Sequence, residues 1–375
     1  MSVLSVDRVR TQLDALGSVG LDTMSFASAA TEVLHQALPF TAACLATADP
    51  ATEIVTGTVK WGGLTNDQDD QWAYHEYEAE DLYDFRDVVR RPGAVTTVRQ
   101  ETGGAPELSR RFAEFFHPTY GFNDELRAAL RVDGLTWGFL ALFREGRSVA
   151  FTPAEQAFVS NVSPLFARGF RAGLVNGLVS SGELAQGPAV VVIDAHGDVV
   201  QASAGAAAQV SDLGGGALGE SPLPLAMRTL VGEARSFAAG RRSAVPSARL
   251  RTRSGRWVLA HASPLLSRHG GPLDIVVTIE DARPPEIVPL IVSAFGLTPR
   301  EQEVVQLVLQ GVATAEIART LFLSAYTVQD HLKSIFEKSG VRSRRELTAR
   351  VFFDQYAPRL AAHDALGPSG WFVAE

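Results

Sequence analysis

The stretch TAEIARTLFLSAYTVQDHLKSIFEKSG, residues 314–340, contains two helical patterns that are joined by only a few residues. The first pattern is short, and we expect Thr314 to cap it. The second begins at Ser324, a favourable residue for a helix N-cap, and ends at Gly340. Because the connection is so short, the second helix cannot run back along the first. The sequence therefore predicts two helices that cross steeply, as in a helix-turn-helix.

The second helix of this pair separates into two faces when its residues are placed about 100° apart. The apolar face carries Val328, Leu332, Ile335 and Phe336, and the polar face carries Tyr326, Asp330, Lys333 and Glu337, flanked by Thr327, Gln329 and Ser334. We expect the apolar face to pack in a core. The polar face is rich in short and medium hydrogen-bonding groups near its amino end, which suits a helix that enters the major groove of DNA.

A further helix is predicted on either side of this pair. The segment LTPREQEVVQLVLQG (297–311) has Thr298 as N-cap, a proline in the first turn and Glu301 for a capping box. Its residues Val304, Leu307 and Val308 are expected to face inward. The segment VRSRRELTARVFF predicts a fourth helix that Ser343 caps, with Glu346 completing another capping box.

The motifs TPRE, EIA, S..TV..H and GVRSR follow one another in this region, which resembles the DNA-binding domain of LuxR/NarL-type regulators. The resemblance implies an all-α tetrahelical helix-turn-helix domain over residues 297–355, followed by a tail (356–375), with double-stranded DNA as partner. It also implies that Gln329, Asp330 and Lys333 approach base edges, and that Thr327, His331 and Arg342 or Arg344 approach the phosphate backbone. Relatives often carry Lys and an apolar residue at positions 329 and 330. Gln pairs well with adenine and Asp with cytosine, so the target sequence is expected to differ.

The charge of this region sets it apart from the chain as a whole. The formal net charge is −8, whereas residues 297–353 carry eight basic and six acidic side chains, a balance of +2. Binding of DNA by one such domain is therefore expected to be weak. We expect a homodimer to compensate, because two linked domains bind more tightly than one.

Upstream, helical and strand patterns alternate in a manner typical of α+β domains. The predicted elements are a helix at 22–38, strands at 41–47, 53–60 and 94–98, a hairpin around Asp133-Gly134, and a long helix that begins at Thr152. This half of the chain (1–180) resembles a GAF domain over roughly residues 20–175. The resemblance rests on the segment RAALRVDGLTWGFLALFREGRSVAFTPAEQAFV. The resemblance implies a small molecule between the sheet and the variable segment near 62–125.

The segment 66–87 is both acidic and aromatic, with nine acidic residues against one Arg. Two interpretations remain open. It is either a lid whose aromatic residues line a ligand pocket, or a solvated acidic face with a few aromatic anchors. The candidate ligand-binding residues are Trp72, Tyr74, Tyr77 and Tyr83.

A second α+β pattern occupies residues 183–281, with strand, turn, strand, helix and further strands. It resembles a PAS domain. Three prolines in the next segment, ARPPEIVP, predict a stiff linker over 282–296. The expected fold is thus two α+β sensor domains, GAF-like and then PAS-like, followed by the helix-turn-helix domain.

Several classes of protein are disfavoured by the sequence. Cys44 is the single cysteine, which excludes a disulfide within the chain and a Cys-based zinc site, and its apolar surroundings favour a buried residue over a redox sensor. Apolar stretches are too short to cross a membrane, and we expect a cytoplasmic protein. No hydrolase, kinase or P-loop motif is present, so neither enzymatic activity nor a cofactor is predicted.

The leading hypothesis is a one-component transcription regulator that responds to a small ligand and acts with RNA polymerase. One alternative is a phosphorelay response regulator, although Lys60 is the only lysine upstream of the DNA-binding region and no Lys-Pro segment occurs. Another is a sensor that acts mainly through protein partners.

Overall fold

The computed structural model describes residues 3–146, 150–176, 188–219, 222–266, 273–352, 365–366 and 372–373. The chain divides into two units. The first comprises Met1–Leu178, Gly187–Arg253 and Val258–Asp281, and the second comprises Val179–Gln186, Ser254–Trp257 and Ala282–Glu375. Most of the predicted tail, 356–375, lies outside the described residues.

Helices and strands alternate through the first unit. The helices are α1 (Val3–Ser18), α2 (Thr23–His35), α3 (Asp69–Ala73), α4 (Phe85–Arg90), α5 (Val98–Glu101), α6 (His117–Tyr120), α7 (Pro153–Asn176), α8 (Ala206–Asp212) and α9 (Leu225–Ala238). The strands are β1 (Ala42–Ala48), β2 (Val55–Trp61), β3 (Val95–Thr97), β4 (Phe122–Val132), β5 (Leu135–Glu145), β6 (Ala189–Ile193), β7 (Val199–Ala202), β8 (Ser247–Arg251), β9 (Trp257–Pro264) and β10 (Ile275–Asp281). Single 3₁₀ turns lie at Asn66–Gln68, Pro92–Ala94 and Pro106–Leu108, and π-helical turns at Tyr74–Glu78 and Phe112–Phe116.

In residues 42–145, which are described throughout, an antiparallel five-stranded sheet has the order β2-β1-β5-β4-β3. Its centre is the hairpin of β4 and β5, which confirms the prediction around Asp133-Gly134. Both turn residues have positive φ, 53° and 79°, as a tight two-residue hairpin turn requires. Helices α1, α2 and α7 pack together on this sheet. A Cβ at Gly169 of α7 would lie 1.9 Å from the ring of Phe26, so the contact of α7 with α2 depends on this glycine.

The start of α7 agrees with the predicted cap. The Thr152 hydroxyl accepts from the Glu155 N–H at 3.3 Å, and the Glu155 carboxylate accepts from the Thr152 N–H at 2.8 Å. This reciprocal pair is a capping box, and it satisfies two backbone donors that the helix itself leaves without partners.

In the described parts of residues 188–281, a second antiparallel five-stranded sheet has the order β7-β6-β10-β9-β8. The two sheets share one topology. When the five strands of each sheet are numbered along the chain, they lie side by side in the order second, first, fifth, fourth, third. Helix α9 buries Met227, Leu230 and Ala234 in the core of this part. Two α+β regions with antiparallel sheets therefore precede the helical unit.

In residues 284–352 the second unit is built of helices. Its elements are α10 (Pro284–Ala294), α11 (Pro299–Leu309), α12 (Thr314–Thr320), α13 (Ala325–Ser339) and α14 (Arg344–Phe352), with the short strands β11 (Ala365–Leu366) and β12 (Phe372–Val373). Helix α10 spans most of residues 282–296, the segment for which the sequence predicts a stiff linker. Two of the three prolines occupy the first turn, where the missing N–H costs nothing, and the Glu286 carboxylate accepts from the Arg283 N–H at 2.6 Å.

Helices α11 to α14 form a common core, as the apolar patterns predicted. Its buried residues are Val304, Val305, Val308, Ile317, Ala318, Val328, Leu332, Ile335, Leu347 and Val351. Leu307 and Phe336, which we also expected inside, are half-buried. Helix α10 adds Ile287, Leu290 and Ile291 and contacts α14.

None of the helices in the described ranges combines the length and the apolar character that crossing a bilayer requires.

Candidate functional site

The first turn of α11 is tied to α13 through one carboxylate. The hydroxyl of Thr298 accepts from the Glu301 N–H at 3.3 Å, and the Glu301 carboxylate accepts from the Thr298 N–H at 2.7 Å, which confirms the predicted capping box. The same carboxylate accepts from the Ser334 hydroxyl and the Lys338 ammonium of α13, both at 2.6 Å. The cap of α11 therefore also holds the carboxy-terminal half of α13 in place.

These contacts change the acidity of Glu301. Burial by itself would raise its pKa, because a buried carboxylate loses hydration. The hydrogen bonds from Lys338, Ser334 and Thr298 outweigh that effect and lower the pKa to about 2. The group is thus ionised at any physiological pH.

The start of α12 differs from the prediction. Its N-cap is Ala313, whose side chain makes no capping bond, and Thr314 is the first helical residue. The hydroxyl of Thr314 instead accepts from Nη2 of Arg344 at 2.8 Å, and Nη1 of Arg344 donates to the Val312 carbonyl at 2.9 Å. The loop before α12 is therefore held by a side chain of α14, and not by a local cap.

Helix α13 begins as predicted. The Ser324 hydroxyl accepts from the Thr327 N–H at 3.0 Å, and the hydroxyls of these two residues lie 2.8 Å apart. Thr327 is half-buried, and its hydroxyl is already engaged in the cap. The helix ends at Gly340 with φ of 67°, and the Val341 N–H bonds back to the Phe336 carbonyl at 2.9 Å. This is the left-handed C-cap that glycine favours.

The polar face of α13 is open to solvent. Gln329, Asp330 and Lys333, the candidate base-reading residues, are all exposed, whereas His331 is half-buried. Asp330 and Lys333 lie three residues apart on one side of the helix. The structure thus brings the three candidates together on one accessible helical surface.

The basic residues after α13 have different roles. Arg342 is exposed, as a phosphate contact requires, but Arg344 is half-buried and bound to the loop before α12. The Glu346 N–H donates to the predicted cap, Ser343, at 3.2 Å, whereas the Glu346 carboxylate accepts from the Arg342 N–H at 2.8 Å. Half of the capping box predicted between Ser343 and Glu346 is therefore present. In the other half, the Glu346 carboxylate accepts from the N–H of Arg342 instead of that of Ser343.

Two exposed aromatic residues near this surface were not among the candidates. Phe322, in the turn between α12 and α13, has φ of 55° and is 95% exposed, and Tyr326 in the first turn of α13 is 77% exposed. The signal in the sequence was the presence of a large apolar residue in a very short connection. Exposed aromatic groups of this kind are unusual on a surface that contacts only water.

The aromatic candidates of segment 66–87 are distributed over different surroundings. Trp72 and Tyr77 line a partly open cavity, together with residues of β1, β2, β4, β5 and α9. Tyr83 is buried, with its ring 4.2 Å from the guanidinium carbon of Arg111. Tyr74 is exposed and is not among the residues that line the cavity. The structure thus brings two of the four candidates to one cavity.

The acidic residues of this segment are paired with arginine and lysine side chains. The pairs are Asp69 with Lys60 and Arg228, Asp70 with Arg228, Glu76 with Arg127, Glu78 with Arg235, Asp81 with Arg111, and Asp84 with Arg242. Several of these arginines belong to α9 or its neighbourhood. Asp69, Glu76 and Asp81 are largely buried in these pairs, whereas Asp70 stays largely exposed, so a solvated acidic face describes only part of the segment.

Cys44 of β1 is buried and also lines the cavity, in agreement with the expectation of a buried residue. Burial raises the pKa of its thiol to about 12. A thiol in this state is almost entirely protonated at neutral pH and is a poor nucleophile.

Comparison with known proteins places the helical unit in a family. The family model described as "Bacterial regulatory proteins, luxR family" matches residues 296–351. The spore germination protein GerE of Bacillus subtilis is 44% identical over 55 residues, which are 15% of this chain and 74% of GerE. An HTH-type transcriptional regulator of Mycobacterium bovis is 47% identical over 52 residues, 14% of this chain and only 6% of that much longer protein.

Among solved structures, the dimer of the LuxR-type receptor VqmA from Vibrio cholerae aligns with 45% of this chain and 83% of its own length. The sequence identity is 20% and the TM-score is 0.22. That score is too low for the alignment to bear on fold or function. The sequence matches, which fall on the four helices α11 to α14, show that the chain belongs to the luxR family of bacterial regulatory proteins, with its helix-turn-helix domain in residues 296–351.

Proposed function

We propose that the chain is a one-component transcription regulator that binds specific sequences of double-stranded DNA through α13. The observation that carries the proposal is the accessible row of Gln329, Asp330 and Lys333 on the second helix of a luxR-family helix-turn-helix. A helix that presents such groups fits the major groove, where amide, carboxylate and ammonium groups distinguish base pairs. In this role Arg342 and the half-buried His331 contact phosphates. Thr327 and Arg344 support the helix, because the side chains of both are engaged within the domain.

The two α+β regions act as sensors in this proposal, the first GAF-like and the second PAS-like. Their antiparallel sheets and the cavity beside β1 and β2 support this assignment. A small ligand in the first region would change the population of DNA-binding conformations, provided that it binds one of them better.

A homodimer and contact with RNA polymerase complete the proposal. A balance of +2 over residues 297–353 supplies little electrostatic attraction to DNA, so two domains on two half-sites are needed for tight binding. We also propose that the chain has no catalytic activity of its own. Control by phosphorylation is disfavoured, since receiver domains of response regulators have a doubly wound parallel sheet, and both sheets here are antiparallel.

The experiment is selection of bound sequences from a random pool of duplex DNA with the full chain, followed by binding measurements at several salt concentrations. We expect an enriched motif and an affinity that falls linearly with salt on logarithmic axes. Enrichment of no motif would contradict sequence-specific binding. Repetition with small-molecule extract tests ligand control, which predicts a changed affinity for the same motif.

A further inference from the structure

We propose that the cavity between the first sheet and α9 binds a small uncharged planar molecule, and that α9 of the second α+β region forms one wall of this site. The inference rests on the ligand control proposed above and names both the ligand class and the element that senses it. It assigns to the second region a part in the ligand site of the first.

The shape and lining of the cavity define the apolar part of the ligand. Its volume is about 50 Å³, roughly a third of the 150 Å³ cavity that binds benzene in another protein, so even a single ring enters only if a wall moves. Rings of Trp72, Tyr77 and Phe85 line it. Flat aromatic surfaces of this kind favour a flat ligand.

The charged groups of the cavity define the polarity of the ligand. Lys60 is paired with Asp69, and Arg127 with Glu76 at 2.8 Å between Nη1 and Oε2. All four residues line the cavity, and their charges balance. A charged ligand would bring a further charge into the cavity and compete with one of these buried pairs, which is unfavourable. A neutral ligand with hydrogen-bonding groups leaves both pairs intact.

Helix α9 contacts both the cavity and Tyr77 directly. Leu225 and Thr229 of α9 line the cavity. Further along the helix, a Cβ at Gly232 would lie 2.9 Å from Cβ of Tyr77, so the backbone of α9 lies directly against Tyr77 there. The Ser236 hydroxyl donates to the Tyr77 carbonyl. A ligand that displaces Tyr77 therefore displaces α9 as well.

One carboxylate joins the cavity to α9 electrostatically. Asp69 lines the cavity and pairs both with Lys60 of β2 and with Arg228 of α9, the latter at 3.4 Å. Arg228 also pairs with Asp70 at 2.8 Å. A ligand that hydrogen-bonds to Lys60 or Asp69 thus alters the strength of the α9 contact without touching α9 itself.

The test uses benzamide, benzoate and benzamidinium, which have nearly the same shape and differ in charge. Binding of each at millimolar concentration to the full chain is measured by saturation-transfer NMR. We expect benzamide to bind about tenfold or more tightly than either charged compound, because only the charged ones compete with a buried pair. Equal binding of all three, or binding of none, overturns the proposed ligand class while leaving DNA binding unaffected.

The role of α9 is tested with Leu225→Trp, which fills the cavity from the second region, and with Ala238→Trp on the exposed end of the same helix as control. Benzamide binding is expected to be lost in the first variant and retained in the second. Thr58→Phe fills the cavity from β2 and tests the cavity as the binding site should Leu225→Trp fail to fold. Benzamide should also slow amide hydrogen exchange in Leu225–Ala238 of the wild-type chain, which tests α9 without a variant. Unchanged exchange there, or unchanged binding in folded Leu225→Trp, overturns the role of α9, and unchanged binding in folded Thr58→Phe overturns the cavity as the site.

Discussion

At the first turn of α11, the Glu301 carboxylate accepts hydrogen bonds from a backbone N–H of its own helix and from two side chains of α13. A helix cap usually stabilises one helix only. Here the same atoms fix the position of the helix that presents Gln329, Asp330 and Lys333. The position of the proposed DNA-binding surface therefore depends on the charge of a buried residue outside α13.

The charge on Glu301 makes the helical unit sensitive to acid. Its pKa is about 2 in the folded state against an ordinary value of 4.5. Because the folded pKa is the lower one, the contribution to stability is complete above about pH 4.5 and is lost as the pH falls towards 2. Amide hydrogen exchange in α11 and α13, measured by mass spectrometry between pH 5 and pH 3 with correction for intrinsic rates, should show this loss of protection.

In Glu301→Gln this acid-dependent loss is expected to disappear, and protection at neutral pH should already be lower by about 1 to 3 kcal/mol, as for a lost charged hydrogen bond. Glu303→Gln, a change of the same type at an exposed position of α11, serves as control. The same acid-induced loss in Glu301→Gln as in the wild type would show that another group causes it.

Lys333 provides a test of base reading at the level of one residue. Lys333→Ala should weaken binding to the selected site by about 1 to 3 kcal/mol and relax the preference at one base pair, since a base contact carries sequence information. Arg90→Ala, in the first α+β region and largely exposed, removes the same charge and is expected to leave binding unchanged. Equal weakening on all sequences, with a smaller salt slope, would instead assign Lys333 to a phosphate.

The residues that could be predicted are those whose partners lie close in sequence. Thr298 and Glu301 are three positions apart, so their capping box follows from the pattern alone. Ser334 and Lys338 are 33 and 37 residues away from Glu301, and Arg344 is 30 residues away from Thr314. No local rule pairs such groups, so the sequence alone predicts neither the contacts of Glu301 with α13 nor the contact of Arg344 with Thr314.

At the scale of an element, the sequence analysis does not predict α10, because the three prolines of ARPPEIVP indicate a stiff linker there. Proline breaks a helix in its interior but fits the first turn, and Pro284 and Pro285 lie there. Ile287, Leu290 and Ile291 then form an apolar stripe that is buried beside α14. The spacing of three and four residues between these apolar positions indicates a helix, and in this segment it outweighs the presence of Pro289 inside the helix.

Gly340 at the end of α13 gives a prediction for an element boundary. Its φ is 67°, and the nearest atom to an added Cβ is Nη1 of Arg350 at 3.7 Å, so a methyl group fits but the backbone conformation is strained. Gly340→Ala should therefore destabilise the end of α13 by about 1 to 2 kcal/mol, the cost of a left-handed residue. Gly340→Asn should cost less, because Asn tolerates this conformation better.

Hydrogen exchange of the amides around Val341 in the full chain measures the effect of both substitutions. The order Gly, Asn, Ala in decreasing protection is the expected outcome. If Ala protects as well as Gly, the left-handed cap does not limit the stability of this end of the helix.

For the whole molecule, many of the acidic side chains of the first unit are paired with basic side chains of the same unit. The acidic segment 66–87 pairs with arginines such as Arg228 and Arg235, about 160 positions further along the chain. The composition predicted an acidic segment, but pairing over such separations depends on how two α+β regions pack. The net charge of −8 therefore does not describe the surface that α13 offers to DNA.

A dimer with two such surfaces makes a geometric prediction about its DNA site. The two copies of α13 must enter major grooves on one face of the duplex, so the half-sites should be centred about one helical turn, 10 to 10.5 base pairs, or a multiple apart. Insertion of about half a turn between the selected half-sites places them on opposite faces and should reduce affinity to that of a single half-site. Insertion of a full turn should restore much of the affinity, apart from the cost of reaching further. Gel-shift titration of the full chain with the three duplexes measures this, and equal affinity for all three would mean that each copy binds alone.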